Sequence, residues 1–134
     1  MSGEPTEIIA TQTLLINSAA NLSIHGNWID ERLGREMFDR LREADAHIYA
    51  QAFRRALSHP LWRTVLTLAI KIGQDSALDT MAGTLYERGG KELAEMYLNT
   101  GCPYLVRCAS DWAAARGYVL IQRSGRGFPQ WGLF

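Results

Sequence analysis

The residues best suited to bind another molecule are concentrated in the last third of the chain. Residues 101 to 134 contain four arginines and one acidic residue, although the whole chain has a formal net charge of zero. The arginines are Arg107, Arg116, Arg123 and Arg126. A guanidinium group pairs well with phosphate and carboxylate groups, so the imbalance favours an anionic partner on one face. It is much weaker than the basicity of a dedicated nucleic-acid-binding domain.

Aromatic side chains occur at the end of the same segment. Phe128, Trp131 and Phe134 fall within seven residues, and Tyr118 precedes them on the other strand of a predicted hairpin. Because side chains alternate along a strand, Phe128 and Phe134 share one face and Trp131 lies on the other. Either these residues fold back onto the helices as core, or one apolar face remains for a partner. We predict a partner-binding surface at Phe128, Trp131, Phe134 and Tyr118.

The sequence offers little for catalysis or metal binding. Its three histidines are scattered, and the pair at helical spacing, Glu43 and His47, supplies two ligands where zinc needs three or four. Neither Cys102 nor Cys108 has a histidine near it in the sequence, and Cys108 lies on an apolar helical stripe. We therefore predict a protein without enzymatic activity, with no resident metal and no cofactor.

Size and composition are those of an ordinary folded domain. The chain has 134 residues, of which 47% are hydrophobic and 21% are charged, and this balance argues against a largely disordered chain. The longest apolar run, residues 61 to 72, is too short to span a bilayer. The first eight residues contain two acids and no base, unlike a secretory signal. We expect one cytoplasmic domain over residues 1–134, with residues 1–6 frayed.

The clearest helical pattern covers residues 29 to 48. Apolar residues recur there at the spacing of one face of an α-helix, and charged residues occupy the opposite face. The apolar residues are Ile29, Leu33, Met37, Leu41, Ala44 and Ile48. Residues 61 to 72 are apolar almost all round, so we expect them to form a helix at the centre of the core.

Turn signals define the last two elements of the chain. A helix is predicted over residues 103–116. Gly101 and Cys102 precede it, and Pro103 is its first residue, since proline is favoured in the first helical turn. A β-hairpin is predicted over residues 118–134, with glycines at its turn. Its second strand contains Pro129, which confines that strand to an edge of a sheet.

The stretch from residue 7 to residue 24 is ambiguous. Ile8, Leu15, Ala19 and Leu22 would line one face of a helix, whereas β-branched residues such as Thr13 favour a strand. We predict a helix for its first half and leave the strand alternative open. The fold class is therefore mainly α with a small C-terminal β-hairpin (α+β), in which five or six helices form a bundle around the central apolar helix 61–72.

These features favour a small non-enzymatic binding module that regulates or inhibits a protein partner. Its predicted contact surfaces are the aromatic hairpin and the amphipathic helix 29–48, and both also invite self-association as a homodimer. The alternative is a winged-helix-like DNA-binding regulator using helix 103–116 and the basic hairpin 118–134. Arg107 and Arg116 would then face DNA from the helix, and Arg123 and Arg126 would reach phosphates from the hairpin.

Overall fold

The computed structural model describes residues 4–25, 32–124 and 129–134, and most of these residues are helical. The α-helices are α1 (Glu4–His25), α2 (Arg32–Arg42), α3 (Ala46–Ala56), α4 (Trp62–Ile72), α5 (Leu78–Arg88), α6 (Lys91–Leu98) and α7 (Pro103–Ala115). A 3₁₀ turn, Asp75–Ala77, precedes α5, and the strands are β1 (Leu120–Ser124) and β2 (Pro129–Leu133). The mainly α fold with a small C-terminal hairpin is thus confirmed, although the described residues form seven α-helices and not the five or six that we predicted.

The ambiguous stretch is helical throughout. Helix α1 covers all of residues 7 to 24, so the strand alternative is wrong. The helix includes the second half of this stretch as well as the first half, for which we predicted it. Leu15, Ala19 and Leu22 are buried at the predicted helical spacing. The β-branched Thr13 fits this helix because its hydroxyl donates to the Ile9 carbonyl oxygen at 2.9 Å, four residues back. Among the described residues, no helix combines the length and apolarity needed to cross a bilayer.

The amphipathic segment 29–48 is broken into two helices, so the prediction of one helix is wrong. Asp45 ends the continuity because its carboxylate caps α3, accepting from the backbone N–H groups of His47 at 2.9 Å and Ile48 at 3.1 Å. Backbone carbonyl groups at and after the C-terminal end of α2 accept hydrogen bonds from a residue that is distant in the sequence. Gln74 donates its side-chain amide to the carbonyl oxygens of Leu41 at 3.0 Å and Ala44 at 3.1 Å.

The buried stripe of α2 also differs from the predicted one. Met37 and Leu41 are buried as expected, but Leu33 is 55% exposed. Gly34 is buried in its place, so the stripe begins one residue later than the apolar pattern indicated. Ile29 lies outside the described residues.

The chain divides into two compact units, Met1–Ala77 and Leu78–Phe134. In the first unit, α1 packs against α2, α3 and α4, and α4 also packs against α2 and α3, so α4 shares the centre of this unit with α1. The buried residues of α4 are Val65, Leu66, Leu68, Ala69 and Ile72. Gly73 ends α4 in the left-handed conformation, with φ 75°, where glycine carries no steric cost. A single domain over residues 1–134 stays a prediction.

The second unit packs α5 and α6 against α7 and sets β2 against α6. Tyr97 lies fully buried in this unit, and its hydroxyl donates to the Met81 carbonyl oxygen at 2.8 Å. Helix α5 ends at Arg88, and space requires a glycine at the next position, Gly89. A Cβ atom on Gly89 would lie 2.6 Å from the Leu85 carbonyl oxygen, closer than real Cβ contacts allow. This unit carries the C-terminal hairpin.

Candidate protein-binding surface on the terminal hairpin

The hairpin has two distinct faces, fixed by the register of its strands. β1 and β2 are antiparallel, with Leu120 opposite Leu133 and Gln122 opposite Trp131. These four side chains therefore share one face, which we call the inner face because Leu133 is fully buried. The outer face carries the alternate residues. They are Val119 and Phe134, which are exposed, Ile121, which is half-buried, and Gly132, which is buried.

Glu95 of α6 and Asn99, which caps the C-terminal end of α6, hold the hairpin. The Asn99 amide donates to the Trp131 carbonyl oxygen at 2.9 Å and accepts from the Trp131 N–H at 2.8 Å. The Glu95 carboxylate accepts from the Leu133 N–H at 3.1 Å. These bonds close the free edge of β2, because they use backbone groups that point away from β1. No sequence pattern indicates this contact beyond the four-residue spacing of Glu95 and Asn99.

Two apolar side chains stand side by side on the outer face. Val119 and Phe134 exchange backbone hydrogen bonds, from Val119 N–H to Phe134 O at 3.1 Å and from Phe134 N–H to Val119 O at 2.9 Å. Val119 is 61% exposed and Phe134 is 81% exposed. We call this the Val119–Phe134 pair. Phe134 was among the predicted contact residues, whereas Val119 was missed although strand alternation places it beside Phe134.

The other predicted aromatic residues occupy different positions. Trp131 is 40% exposed but belongs to the inner face, so it does not lie beside Phe134 on the outer face. Tyr118 is half-buried and stacks on Trp112 of α7, with ring centroids 5.8 Å apart and planes 11° from parallel. Tyr118 therefore anchors the start of the hairpin to α7. Phe128 lies outside the described residues.

The predicted arginines do not form one described surface. Arg107 is exposed on α7, but the exposed Asp111 follows it by one helical turn. The Arg116 guanidinium lies over the Trp112 ring, 4.3 Å from its centroid, in a cation–π contact. The side chain of Arg123 and all of Arg126 lie outside the described part of the chain.

The chemistry of Cys108 is that of a packed thiol. Its partial burial raises the thiol pKa, and the negative charge of Asp111 raises it further while Arg107 opposes the shift. A raised pKa disfavours the nucleophilic thiolate. Within the described residues, no three histidine, cysteine, aspartate or glutamate side chains come close enough together to hold a metal ion.

Comparison with protein-family models, with curated proteins and with solved structures finds no match for this chain.

Proposed function

We propose that the protein is a non-enzymatic binding module that regulates or inhibits a protein partner through the outer face of its terminal hairpin. The observation that carries this proposal is the Val119–Phe134 pair, two large apolar side chains exposed together on a hairpin that α6 holds in place. Trp131 is 40% exposed but lies on the inner face, so it is not part of the proposed contact surface.

The pair supplies useful binding energy. Fully burying a side chain such as phenylalanine or valine contributes about 1.5–3 kcal/mol. Scaled by the exposed fractions of 81% for Phe134 and 61% for Val119, that is about 2 and about 1 kcal/mol. Together they would strengthen binding by about a hundredfold, because about 1.4 kcal/mol corresponds to a tenfold change in affinity.

The bonds from α6 favour binding in a second way. Asn99 and Glu95 fix the backbone of β2 before any partner arrives. A surface that is already ordered loses less conformational entropy when it binds, so more of the apolar contact appears as affinity. A continuous amphipathic helix over residues 29–48 is not part of the proposed contact surface, because the helix is interrupted before Asp45, which caps α3.

A capture experiment with matched variants tests the proposal. The wild-type chain, Phe134→Ala and Ile24→Ala are each used to capture partners from an extract of the native host, and the proteins retained are quantified. Ile24 is the control because it is an apolar residue of α1 that is 77% exposed, close to the value for Phe134. We expect a partner that the Ile24→Ala chain retains and the Phe134→Ala chain loses, with thermal unfolding unchanged. Equal capture by all three chains would contradict the proposal.

The proposed compartment is the cytoplasm. Cys102 and Cys108 are both free thiols, as is usual for proteins of that compartment, where disulfides are rarely kept. Free cysteines do not define a compartment, so fluorescence imaging of the tagged chain in its native host is the direct check. We expect diffuse cytoplasmic signal.

The DNA-binding alternative has one supporting observation, the exposed Arg107 on α7 directly before a hairpin. Salt dependence separates the two functions. Binding through arginine–phosphate contacts weakens steeply between low and moderate salt because counterions are released from DNA. Contact through the Val119–Phe134 pair should change little over the same range. A titration of duplex DNA against the full chain at two salt concentrations, with Arg107→Ala as the variant, makes the distinction.

A further inference from the structure

The two edges of the terminal hairpin differ in their hydrogen bonding. The edge of β2 is closed by Asn99 and Glu95. Residues facing each other in an antiparallel pair alternate between exchanging hydrogen bonds and turning their backbone groups away. Since Val119 and Phe134 exchange bonds, Leu120 and Gln122 must direct their N–H and C=O groups to the other side of β1. No hydrogen bond reaches those groups from the part of the chain that the structure describes.

We propose that this edge pairs with the same edge of a second copy of the chain. The two β1 strands would run antiparallel across a two-fold axis, joining two hairpins into one four-stranded sheet. Proteins usually protect an open edge with proline, lysine or a bulge. The stretch from Val119 to Gln122 contains no proline and no charged residue, and its pairing with β2 is regular. The outward N–H and C=O groups of Leu120 and Gln122 can therefore pair with another strand.

Charge and packing select the register of the pairing. With the axis at Ile121, Leu120 pairs with Gln122 of the second copy, and the backbone groups of both residues find partners. Ile121 then meets Ile121 of the second copy at the close approach of a pair without hydrogen bonds. The two Arg123 positions lie four residues apart along the strands, about 13 Å, which exceeds the screening length of about 8 Å in physiological salt.

The neighbouring register is less favourable. With the axis moved to Gln122, the two Arg123 positions would be two residues apart along the strands, about 7 Å, and their charges would repel within the screening length. The apolar contact between the two Ile121 side chains would also be lost. The axis at Ile121 therefore avoids like-charge repulsion and adds an apolar contact.

This pairing has a consequence for the outer face. Side chains that face each other across antiparallel strands lie on the same side of the sheet. The Val119–Phe134 pairs of both copies would therefore lie on one face of the joined sheet, with the two Ile121 side chains between them. The inference goes beyond the proposed function because it concerns the edge of β1, whereas partner binding concerns the outer face. A variant can therefore remove one and leave the other.

The oligomeric state of two matched variants tests the pairing. Gln122→Pro removes the N–H group that the second copy would use, and it spares the hydrogen bonds within the hairpin because Gln122 makes none of them. Gln122→Ala keeps that N–H group. By sedimentation equilibrium we expect the wild-type chain and Gln122→Ala at twice the mass of the chain, and Gln122→Pro at the mass of one chain. A monomeric wild-type chain, or an unchanged dimer in Gln122→Pro, would overturn the proposal.

Cross-linking tests the register directly and does not rely on a proline variant that folds. Cysteine is introduced at Ile121 or at Val119 in a chain whose Cys102 and Cys108 are replaced by serine. Across the axis, the two residues at position 121 have Cα atoms about 4.5 Å apart, within the disulfide range of about 4.4–6.8 Å. The two residues at position 119 are about 13 Å apart along the strands.

Mild oxidation should therefore give a covalent dimer with Ile121→Cys and none with Val119→Cys. Equal cross-linking at both positions, or none at position 121, would contradict the proposed register. Phe134→Ala keeps the edge of β1 and should still form the dimer while losing the captured partner. This variant separates failure of the pairing from failure of the proposed function.

Discussion

Replacing Asn99 by alanine should loosen the terminal hairpin while leaving the helices folded. The Asn99 side chain makes two hydrogen bonds with the backbone of Trp131, at 2.9 and 2.8 Å. Alanine removes both, and Glu95 then holds β2 alone through its bond to Leu133 at 3.1 Å. The outer face keeps its residues but loses part of its support.

The size of the effect follows from the two bonds. A hydrogen bond in a protein contributes a net of about 0.5–1.5 kcal/mol, so two contribute about 1–3 kcal/mol. Asn99 is exposed, so water replaces part of what is lost, and we expect about 1.5 kcal/mol. That energy corresponds to about a tenfold increase in local opening of the hairpin.

Native-state hydrogen exchange measures that opening. The reporters are the N–H groups of Val119 and Phe134, which bond across the strands. We expect both to exchange about tenfold faster in Asn99→Ala, with little change in the amides of α7. Asn99→Asp is a second test, because it loses the donor and sets a carboxylate oxygen against the carbonyl oxygens of Trp131 and Glu95, which the amide contacts at 2.9 and 2.8 Å, so its effect should be at least as large as that of alanine. Unchanged exchange at Val119 and Phe134 in a folded Asn99→Ala chain would refute this account of the hairpin.

Three further predictions concern the stability of the second unit. Gly89→Ala should destabilise it by about 1–3 kcal/mol in chemical denaturation, because the new Cβ would meet the Leu85 carbonyl oxygen at 2.6 Å. Leu133→Ala should cost about 2–5 kcal/mol, since Leu133 is fully buried, and an unchanged midpoint would contradict its place in the core. The hydrogen bond of Tyr104 to Asp79 at 2.6 Å raises the pKa of Tyr104 from 10.0 to about 12, with smaller contributions from desolvation and from the charge of Asp79. Its stabilisation should be complete below pH 10.0 and fade as the pH rises towards about 12, so Tyr104→Phe should differ from the wild type in denaturation near neutral pH and converge with it in strong alkali.

Local signals in the sequence predicted most of the fold. Pro103 marks the start of the helix predicted over residues 103–116, which corresponds to α7, and the apolar run 61–72 corresponds to α4. These features depend on residues that are near each other in the chain. Alternation along the strands likewise places Trp131 and Phe134 on different faces of the hairpin.

The break between α2 and α3 shows where periodicity fails. Apolar residues keep their helical spacing on both sides of Asp45. A search for apolar residues three or four apart therefore does not detect the end of α2 and the start of α3. The aspartate is itself a preferred cap, and that signal could have marked the start of α3. The amide of Gln74, which bonds the freed carbonyl groups of Leu41 and Ala44, comes from about thirty residues away, and no local pattern contains it.

The candidate surface was predicted only in part, because it too depends on contacts between residues that are distant in the sequence. Phe134 could be chosen from its type and position, but its exposure depends on which face of the hairpin α6 covers. Leu133 is buried on the inner face, and Asn99 and Glu95 bond the edge of β2 from another element, so none of this is contained in the local pattern of the strands. Tyr118 was assigned to the surface although it stacks on Trp112, because stacking between α7 and the hairpin depends on the folded geometry.

The affinity of the purified, captured partner for wild-type and Phe134→Ala chains tests the central claim most directly. Loss of a side chain that is 81% exposed in the free chain and buried in the complex should weaken binding by about 2 kcal/mol, or about thirtyfold, in calorimetric titration. The Ile24→Ala chain should bind as the wild type does. An unchanged dissociation constant for a folded Phe134→Ala chain would contradict the claim that the outer face of the hairpin makes the contact.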